Sequence, residues 1–183
     1  MSFAYHFKIQ HIPNILTIIR FICVPFICIL MWLDTDITRV LSFILTLSAA
    51  ITDFFDGYIA RKLNAISKFG ICMDPIIDKV LIITVMIMLI YVEKIHLLPA
   101  LVIIFREILI SGIREFVGNY NIKLPVSQLA KIKTFLQMVA VIVLMIASSN
   151  IVIFLGNFVL YIAMILTCIT GYEYYKNIKH LFN

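Results

Sequence analysis

Six apolar stretches run along almost the whole of this 183-residue chain. Hydrophobic residues make up 63% of it and the mean hydropathy is +1.07, which is too apolar for a single water-soluble core. The stretches cover residues 15–33, 40–59, 80–92, 97–111, 129–148 and 151–172. The third and fourth are shorter than the roughly 20 residues that cross a bilayer. They reach that length if helix continues through residues 74–79 and 114–117.

The chain is therefore predicted to be an all-α integral membrane protein with a bundle of six transmembrane helices. We expect one membrane domain over residues 1–183, with residues 1–14 as an N-terminal segment at the membrane interface. The loops between the stretches are short and leave no room for a second domain.

The lysines and arginines indicate the orientation of these helices. If the N-terminus is cytoplasmic and each stretch crosses once, all 15 lysines and arginines except Arg39 and Lys94 fall on the cytoplasmic side. This is the positive-inside pattern, so we expect both termini in the cytoplasm and the protein in the inner membrane. The net charge of +5 also suits anionic lipid head groups. Because the basic residues stand at helix ends, no nucleic-acid partner is expected.

Four aspartates lie near the predicted cytoplasmic end: Asp53, Asp56, Asp74 and Asp78. The first two are three residues apart and the last two are four apart, so each pair shares one face of a helix. Carboxylates beside lipid are costly unless they are neutralised, and divalent cations prefer hard oxygen ligands. Two facing helices would thus converge four carboxylates on one or two metal ions, which is an arrangement suited to phosphoryl transfer.

Residues between the aspartates suit a phosphate-bearing ligand. Gly57, Ala60 and Gly70 leave room for a close approach. Arg61 offers a planar cation that suits a phosphate or a nucleotide. Asp78, one turn beyond Asp74, is a candidate metal ligand or general base.

Two prolines predict helix starts. Pro75 fits the first turn of a helix that begins near Asp74, where its missing N–H has no partner to lose. Pro13 and Asn14 open the first apolar helix, and Asn14 is a candidate cap for it.

The pattern D-x2-D-G-x2-A-R-x8-G-x3-D-x3-D, from Asp53 to Asp78, resembles the signature of the CDP-alcohol phosphatidyltransferases. The resemblance implies a six-helix membrane enzyme that moves a phosphatidyl group from a CDP-linked lipid to an alcohol, releases CMP and uses Mg²⁺ or Mn²⁺, with two ions the expected number. It implies that the four aspartates bind the metal ions and that Asp78 also takes the proton from the acceptor hydroxyl. The implied CDP-binding residues are Asp56, Gly57, Ala60, Arg61, Gly70 and Thr17.

Thr17 enters this set because residues 13–20 read P-N-x-L-T-x-x-R, which resembles the opening of the first helix in the same family. Arg20 is a further candidate on that ground. The alternative for Arg20 is a side chain that extends along the helix to the membrane surface.

Four cations fall at one expected membrane depth: Arg106, Arg114, Lys131 and Lys133. Such a group suits a small anionic acceptor better than a neutral one, although part of it is the ordinary positive-inside excess. The segment 106–138 resembles the bacterial phosphatidylglycerophosphate synthases, with Ala130 where a glycine usually stands.

That second resemblance implies CDP-diacylglycerol as donor and sn-glycerol 3-phosphate as acceptor. The candidates for the acceptor's phosphate are, in order, Lys131, Arg114, Lys133 and Arg106. Glu107 and Glu115 are expected to orient the arginines. A homodimer is expected by analogy with relatives.

Two alternatives stay open. A sister transferase would use serine, inositol phosphate or phosphatidylglycerol as acceptor, and a neutral or zwitterionic acceptor would leave the basic group unexplained. A divalent-cation transporter would need acidic residues along an ion path, whereas all four aspartates lie at one end of the predicted bundle.

Overall fold

The computed structural model describes residues 2–62, 68–118 and 127–179, with side chains for residues 16–52, 73, 76, 77, 79–118, 127–176 and 179. Within these ranges the regular structure is α-helical, as predicted. The helices are α1 (Ser2–Leu33), α2 (Asp36–Lys62), α3 (Lys68–Tyr91), α4 (Leu97–Gly118), α5 (Gln128–Ile146) and α6 (Asn150–Lys179).

Three of the described helices are long and apolar enough to cross a membrane. Their candidate spans are Leu16–Leu33 in α1, Gln128–Ile146 in α5 and Asn150–Lys176 in α6. A shorter apolar segment, Lys79–Tyr91, lies in α3. The predicted helical extensions of the third and fourth stretches are confirmed, because α3 includes residues 74–79 and α4 includes residues 114–117.

Two predicted helix starts are wrong. The first helix begins at Ser2 rather than at Pro13, and the third begins at Lys68 rather than near Asp74. Pro13 and Pro75 therefore lie inside helices, and Asn14 is not a cap. A proline removes one backbone hydrogen bond, but the helix on both sides of it keeps the other backbone groups paired.

The helices form two compact units, Met1–Met88 and Leu89–Asn183. In the first unit α1 packs along α2. The buried positions on each helix recur every three or four residues, which is the spacing of one helix face. They include Val24, Ile27 and Met31 on α1 and Ser42, Thr46 and Ala49 on α2.

A compact hydrogen-bonded turn joins α1 to α2. Asp34 has a φ of 44° and ends α1 in the left-handed region. Thr35 and Thr38 cap α2 reciprocally: the Thr35 N–H donates to Thr38 Oγ1 at 2.9 Å and the Thr38 N–H donates to Thr35 Oγ1 at 3.3 Å. Arg39 binds both carboxylate oxygens of Asp34, at 2.7 and 3.0 Å, and this contact raises the pKa of Arg39.

In the second unit α6 packs against both α4 and α5. The approach to α5 is close at Gly156, where an added Cβ would lie 2.7 Å from Cδ2 of the fully buried Leu144. Small residues of this kind let two membrane helices come together.

One end of the second unit is tied by Asn157 of α6 to the turn before α4. Its side chain accepts from the N–H of His96 at 2.9 Å and donates to the carbonyl of Lys94 at 2.8 Å. The Nζ of Lys94 donates to the carbonyl of Met145 at the end of α5, at 3.2 Å. These contacts fix the ends of α4, α5 and α6 together.

Candidate functional site

The four aspartates fall in continuous helices, as the spacing argument requires. Asp53 and Asp56 are in α2, and Asp74 and Asp78 are in α3. Their side chains lie outside the described residues, as do those of the proposed CDP-pocket residues Gly57, Ala60, Arg61 and Gly70. Among the side chains that are described, no group of three or more His, Cys, Asp or Glu could hold a metal ion. The metal and CDP assignments therefore stay predictions.

Thr17 and Arg20 lie on the buried face of α1. Each is only 3% exposed, and their spacing of three residues puts them on one side of the helix. Arg20 is therefore enclosed by protein, and its part in a binding site stays a prediction. The assignment of Thr17 to the CDP pocket stays a prediction.

The second unit contains a basic cleft built from α4, α5 and α6. It has a volume of about 140 Å³, well below the roughly 300–1,000 Å³ of sites for drug-sized ligands. A cleft of this size suits a small ligand. It is lined by Arg106, Glu107, Arg114, Ser127, Ala130, Lys133, Thr134, Thr170, Glu173 and Tyr174.

Glu107 stands between two of the cations in the basic cleft. Its Oε1 accepts hydrogen bonds from Lys133 Nζ and from Arg106 Nη1, the latter at 3.2 Å. The side chain of Lys133 is 2% exposed and that of Arg106 is 14% exposed. Burying such charges costs free energy unless they are paired, so Glu107 is what makes both positions tenable.

The helix α6 holds the two arginines of α4. Arg106 Nη2 donates to Thr170 Oγ1 at 3.0 Å. Arg114 Nε donates to Tyr174 Oη at 3.0 Å, and its guanidinium carbon lies 5.5 Å from the centre of the Tyr174 ring. Arg106 and Arg114 are eight residues apart, about two helical turns, and Thr170 and Tyr174 are one turn apart.

The start of α5 places Lys133 in the cleft. Ser127 caps the helix by accepting a hydrogen bond from the N–H of Ala130 at 3.2 Å. The cap fixes where α5 begins, and Lys133 then falls in its second turn on the buried face.

The basic cleft has more donors than its own acceptors satisfy. It holds three cations against the carboxylates of Glu107 and Glu173. Within the described part of the chain, the buried Nε of Arg106 has no hydrogen-bond partner. Because guanidinium groups match the geometry of phosphate oxygens, this arrangement suits a small phosphate-bearing ligand.

Three of the four predicted acceptor-phosphate residues come together here. Arg106, Arg114 and Lys133 line the basic cleft, whereas Lys131 is exposed and is not among its lining residues. Glu107 contacts Arg106, and its role in orienting that arginine stays a prediction. Glu115 is exposed, and its role stays a prediction.

The cleft residues of α6, namely Thr170, Glu173 and Tyr174, were not among those predicted from the sequence. The spacing of Thr170 and Tyr174 already puts them on one face of α6. Only the hydrogen bonds from Arg106 and Arg114 of α4 show that these two residues line the cleft.

Comparisons with known proteins extend over most of the chain. The family model described as CDP-alcohol phosphatidyltransferase matches residues 10–169. A CDP-diacylglycerol--glycerol-3-phosphate 3-phosphatidyltransferase of Rickettsia typhi is 45% identical over 177 residues, covering 94% of this chain and 99% of the relative. Proteins of the same name from Wigglesworthia glossinidia brevipalpis and Sodalis glossinidius are 38% identical over 172 residues and 32% over 176. These cover 90% and 93% of this chain, and 93% and 96% of the relatives.

Proposed function

The chain belongs to the CDP-alcohol phosphatidyltransferase family, and from that membership we infer that it transfers the phosphatidyl group of CDP-diacylglycerol to sn-glycerol 3-phosphate. The products are phosphatidylglycerophosphate and CMP, and the reaction is a step of phospholipid biosynthesis. The identity of the acceptor rests on one observation. The chain is 45% identical, along nearly its full length, to a relative named CDP-diacylglycerol--glycerol-3-phosphate 3-phosphatidyltransferase. The basic cleft supports it independently, because three cations suit a phosphate-bearing acceptor better than serine or a neutral alcohol.

The acceptor's phosphate is proposed to bind in the basic cleft. Arg106, Arg114 and Lys133 supply donors to its oxygens, and Glu107 keeps two of these cations in place between turnovers. Lys131 remains a candidate for the first encounter with the anion, since it is exposed at the start of α5.

The donor lipid is proposed to bind to the residues of the α2–α3 motif. Asp56, Gly57, Ala60, Arg61 and Gly70 would take the CDP group, together with Thr17, which is buried on α1.

The donor set of the four aspartates fits one or two divalent ions, Mg²⁺ or Mn²⁺, because four carboxylates are the hard oxygen ligands that these ions prefer. Asp53, Asp56, Asp74 and Asp78 would hold them. Ions bound there would spread the negative charge of the diphosphate.

In the chemical step Asp78 is proposed to accept the proton of the acceptor's reacting hydroxyl. The hydroxyl oxygen then bonds to the lipid-linked phosphorus while the bond from that phosphorus to the CMP oxygen breaks. CMP leaves with the electron pair of that bond. Transfer in one displacement needs no covalent intermediate on the protein.

We propose a six-span topology with both termini in the cytoplasm. Three spans are supported by length and apolarity, and the positive-inside pattern supports the orientation. On this topology the protein is a multi-pass protein of the inner membrane whose active site faces the cytoplasm. A homodimer is proposed by analogy with the family.

The test is CMP release from CDP-diacylglycerol by the purified protein in detergent with Mg²⁺. Glycerol 3-phosphate, serine, inositol phosphate and phosphatidylglycerol are supplied in parallel. We expect release only with glycerol 3-phosphate, and we expect it to disappear with a chelator or in the Asp56→Asn variant. Release with another acceptor would refute the assignment of the acceptor. No release with any acceptor would refute the assignment of the reaction and favour cation flux in vesicles as the next assay.

A further inference from the structure

We infer that Thr170 and Tyr174 of α6 are positioning residues that hold Arg106 and Arg114 ready for the phosphate monoester of the acceptor. The inference rests on the proposed function. It assigns a role to the last helix, in which the sequence shows no motif, and it names the contacts that would set the affinity for the acceptor.

Tyr174 fixes Arg114 through two contacts. The phenol oxygen accepts a hydrogen bond from Nε at 3.0 Å, and the guanidinium carbon lies 5.5 Å from the ring centre. The tyrosine itself is 8% exposed and packs with Ile110 and Ile113 of α4. A ring held in this way offers a rigid partner, and it leaves both terminal nitrogens of Arg114 for the oxygens of a ligand.

Thr170 fixes Arg106 in a similar way. Its hydroxyl donates to backbone carbonyls, with Oγ1 at 2.9 Å from Leu166 O and 3.2 Å from Thr167 O. The hydroxyl oxygen can therefore accept from Arg106 Nη2, at 3.0 Å. Glu107 accepts from Nη1. Each terminal nitrogen carries a second N–H that can donate to a ligand, and the buried Nε has no hydrogen-bond partner among the described residues.

The two contacts act together because of their spacing. Thr170 and Tyr174 are one turn apart on α6, and their partners lie along the same side of α4. An arginine whose orientation is already fixed loses less conformational freedom when it binds a ligand. Removing either contact should therefore weaken acceptor binding and raise KM for glycerol 3-phosphate, with little effect on kcat.

The experiment compares Thr170→Val and Tyr174→Phe with wild-type protein. Valine keeps the shape of threonine without its hydroxyl, and phenylalanine keeps the tyrosine ring that packs against α4. Thr170→Ser restores the hydroxyl. The matched controls are Thr167→Val, since the buried Thr167 Oγ1 has no hydrogen-bond partner in the described part of the chain, and Tyr172→Phe, since Tyr172 is 71% exposed.

KM and kcat are measured for both substrates, and the dissociation constant for glycerol 3-phosphate is measured by titration calorimetry. We expect KM and the dissociation constant for glycerol 3-phosphate to rise about tenfold in each test variant, as for loss of a hydrogen bond to a charged group. We expect kcat and KM for CDP-diacylglycerol to stay within about twofold. Thr170→Ser and both controls should behave as wild type.

The outcomes separate this inference from the proposed function. If wild-type protein turns over glycerol 3-phosphate and the test variants match it, the positioning role is refuted and the function stands. If wild-type protein binds glycerol 3-phosphate without releasing CMP, the function is refuted, and the dissociation constants of the variants decide the positioning role. If it binds no glycerol 3-phosphate, both fail. A fall in kcat with unchanged KM would also refute the inference.

Discussion

The carboxylate of Glu107 on α4 accepts a hydrogen bond from the Nζ of Lys133 on α5, 26 positions further along the chain. The side chain of Lys133 is 2% exposed. Glu107 Oε1 also accepts a hydrogen bond from Arg106 Nη1 at 3.2 Å. One carboxylate thus holds the buried Lys133 and the partly buried Arg106, and it links two helices. It leaves the cleft with a net positive charge that a phosphate can neutralise, which ties the packing of the second unit to its proposed role.

Lys133 is expected to matter far more than its neighbour Lys131. Lys133→Met keeps much of the side-chain volume and removes the charge, so we expect kcat/KM for glycerol 3-phosphate to fall at least about tenfold, corresponding to roughly 1.4 kcal/mol or more. Lys131→Met is the matched control, since Lys131 is exposed and does not line the cleft, and it should cost less than about threefold. Steady-state kinetics at fixed ionic strength measures kcat/KM for glycerol 3-phosphate in both variants. A larger fall in kcat/KM for Lys131→Met than for Lys133→Met would make Lys131 the main residue that binds the acceptor's phosphate.

Glu107→Gln should destabilise the second unit. The amide is neutral, so Arg106 and Lys133 lose their shared negative charge and face each other in a buried site. We expect a loss of about 2 kcal/mol in unfolding free energy, less than for a fully buried pair because Glu107 is 22% exposed. Glu115→Gln is the control at an exposed position. Thermal unfolding in detergent measures the difference, and adding Lys133→Met to Glu107→Gln should cost less than the two separate losses combined.

Gly156→Ala should loosen the contact between α5 and α6. Its new methyl group would lie 2.7 Å from Cδ2 and Cγ of Leu144, which is fully buried and has little room to move. We expect a loss of about 1–3 kcal/mol, as for other overpacked sites. Gly112→Ala is the matched control, because a Cβ there meets nothing within 4 Å, and it should be neutral or stabilise α4 by up to about 1 kcal/mol. A lower melting temperature for Gly112→Ala than for Gly156→Ala would contradict the packing described for these two helices.

Asn157→Ala should release the end of α6 from the turn before α4. The change removes an acceptor for the His96 N–H and donors to the carbonyls of Lys94 and Ile153. Buried backbone groups left without partners cost about 1–3 kcal/mol. Asn150→Ala, at the exposed first residue of α6, should cost far less. Hydrogen exchange at residues 94–96 should speed up only in the Asn157 variant, and equal exchange in both would show that the contact does not hold the turn.

Asp78→Asn should abolish turnover and largely preserve binding of CDP-diacylglycerol. The amide cannot accept the hydroxyl proton, whereas the other three aspartates would still ligate metal ions. Binding of the CDP-lipid by calorimetry with Mg²⁺, beside the CMP-release assay, separates the two roles. Parallel loss of binding and turnover would mean that Asp78 is chiefly a metal ligand.

Helix content could be predicted because it depends on local sequence. Each apolar stretch became a helix, and the extensions of α3 and α4 followed from the length needed to cross a bilayer. The starts of α1 and α3 could not be predicted from Pro13 and Pro75. A proline disfavours a helix locally because it lacks a backbone N–H. It ends the helix only where the backbone N–H and C=O groups exposed by the break find other hydrogen-bond partners.

The helical class and the spacing of the four aspartates within α2 and α3 could be read from the amino-acid sequence, since helix periodicity and hydropathy are properties of neighbouring residues. The cations of α4 and α5 were also evident from the sequence. Helix packing placed Lys133 rather than Lys131 in the basic cleft, paired Lys133 with Glu107, and brought Thr170 and Tyr174 to the arginines. These contacts between helices join residues 26 to 64 positions apart, and such pairs are set by how helices pack and not by any local pattern.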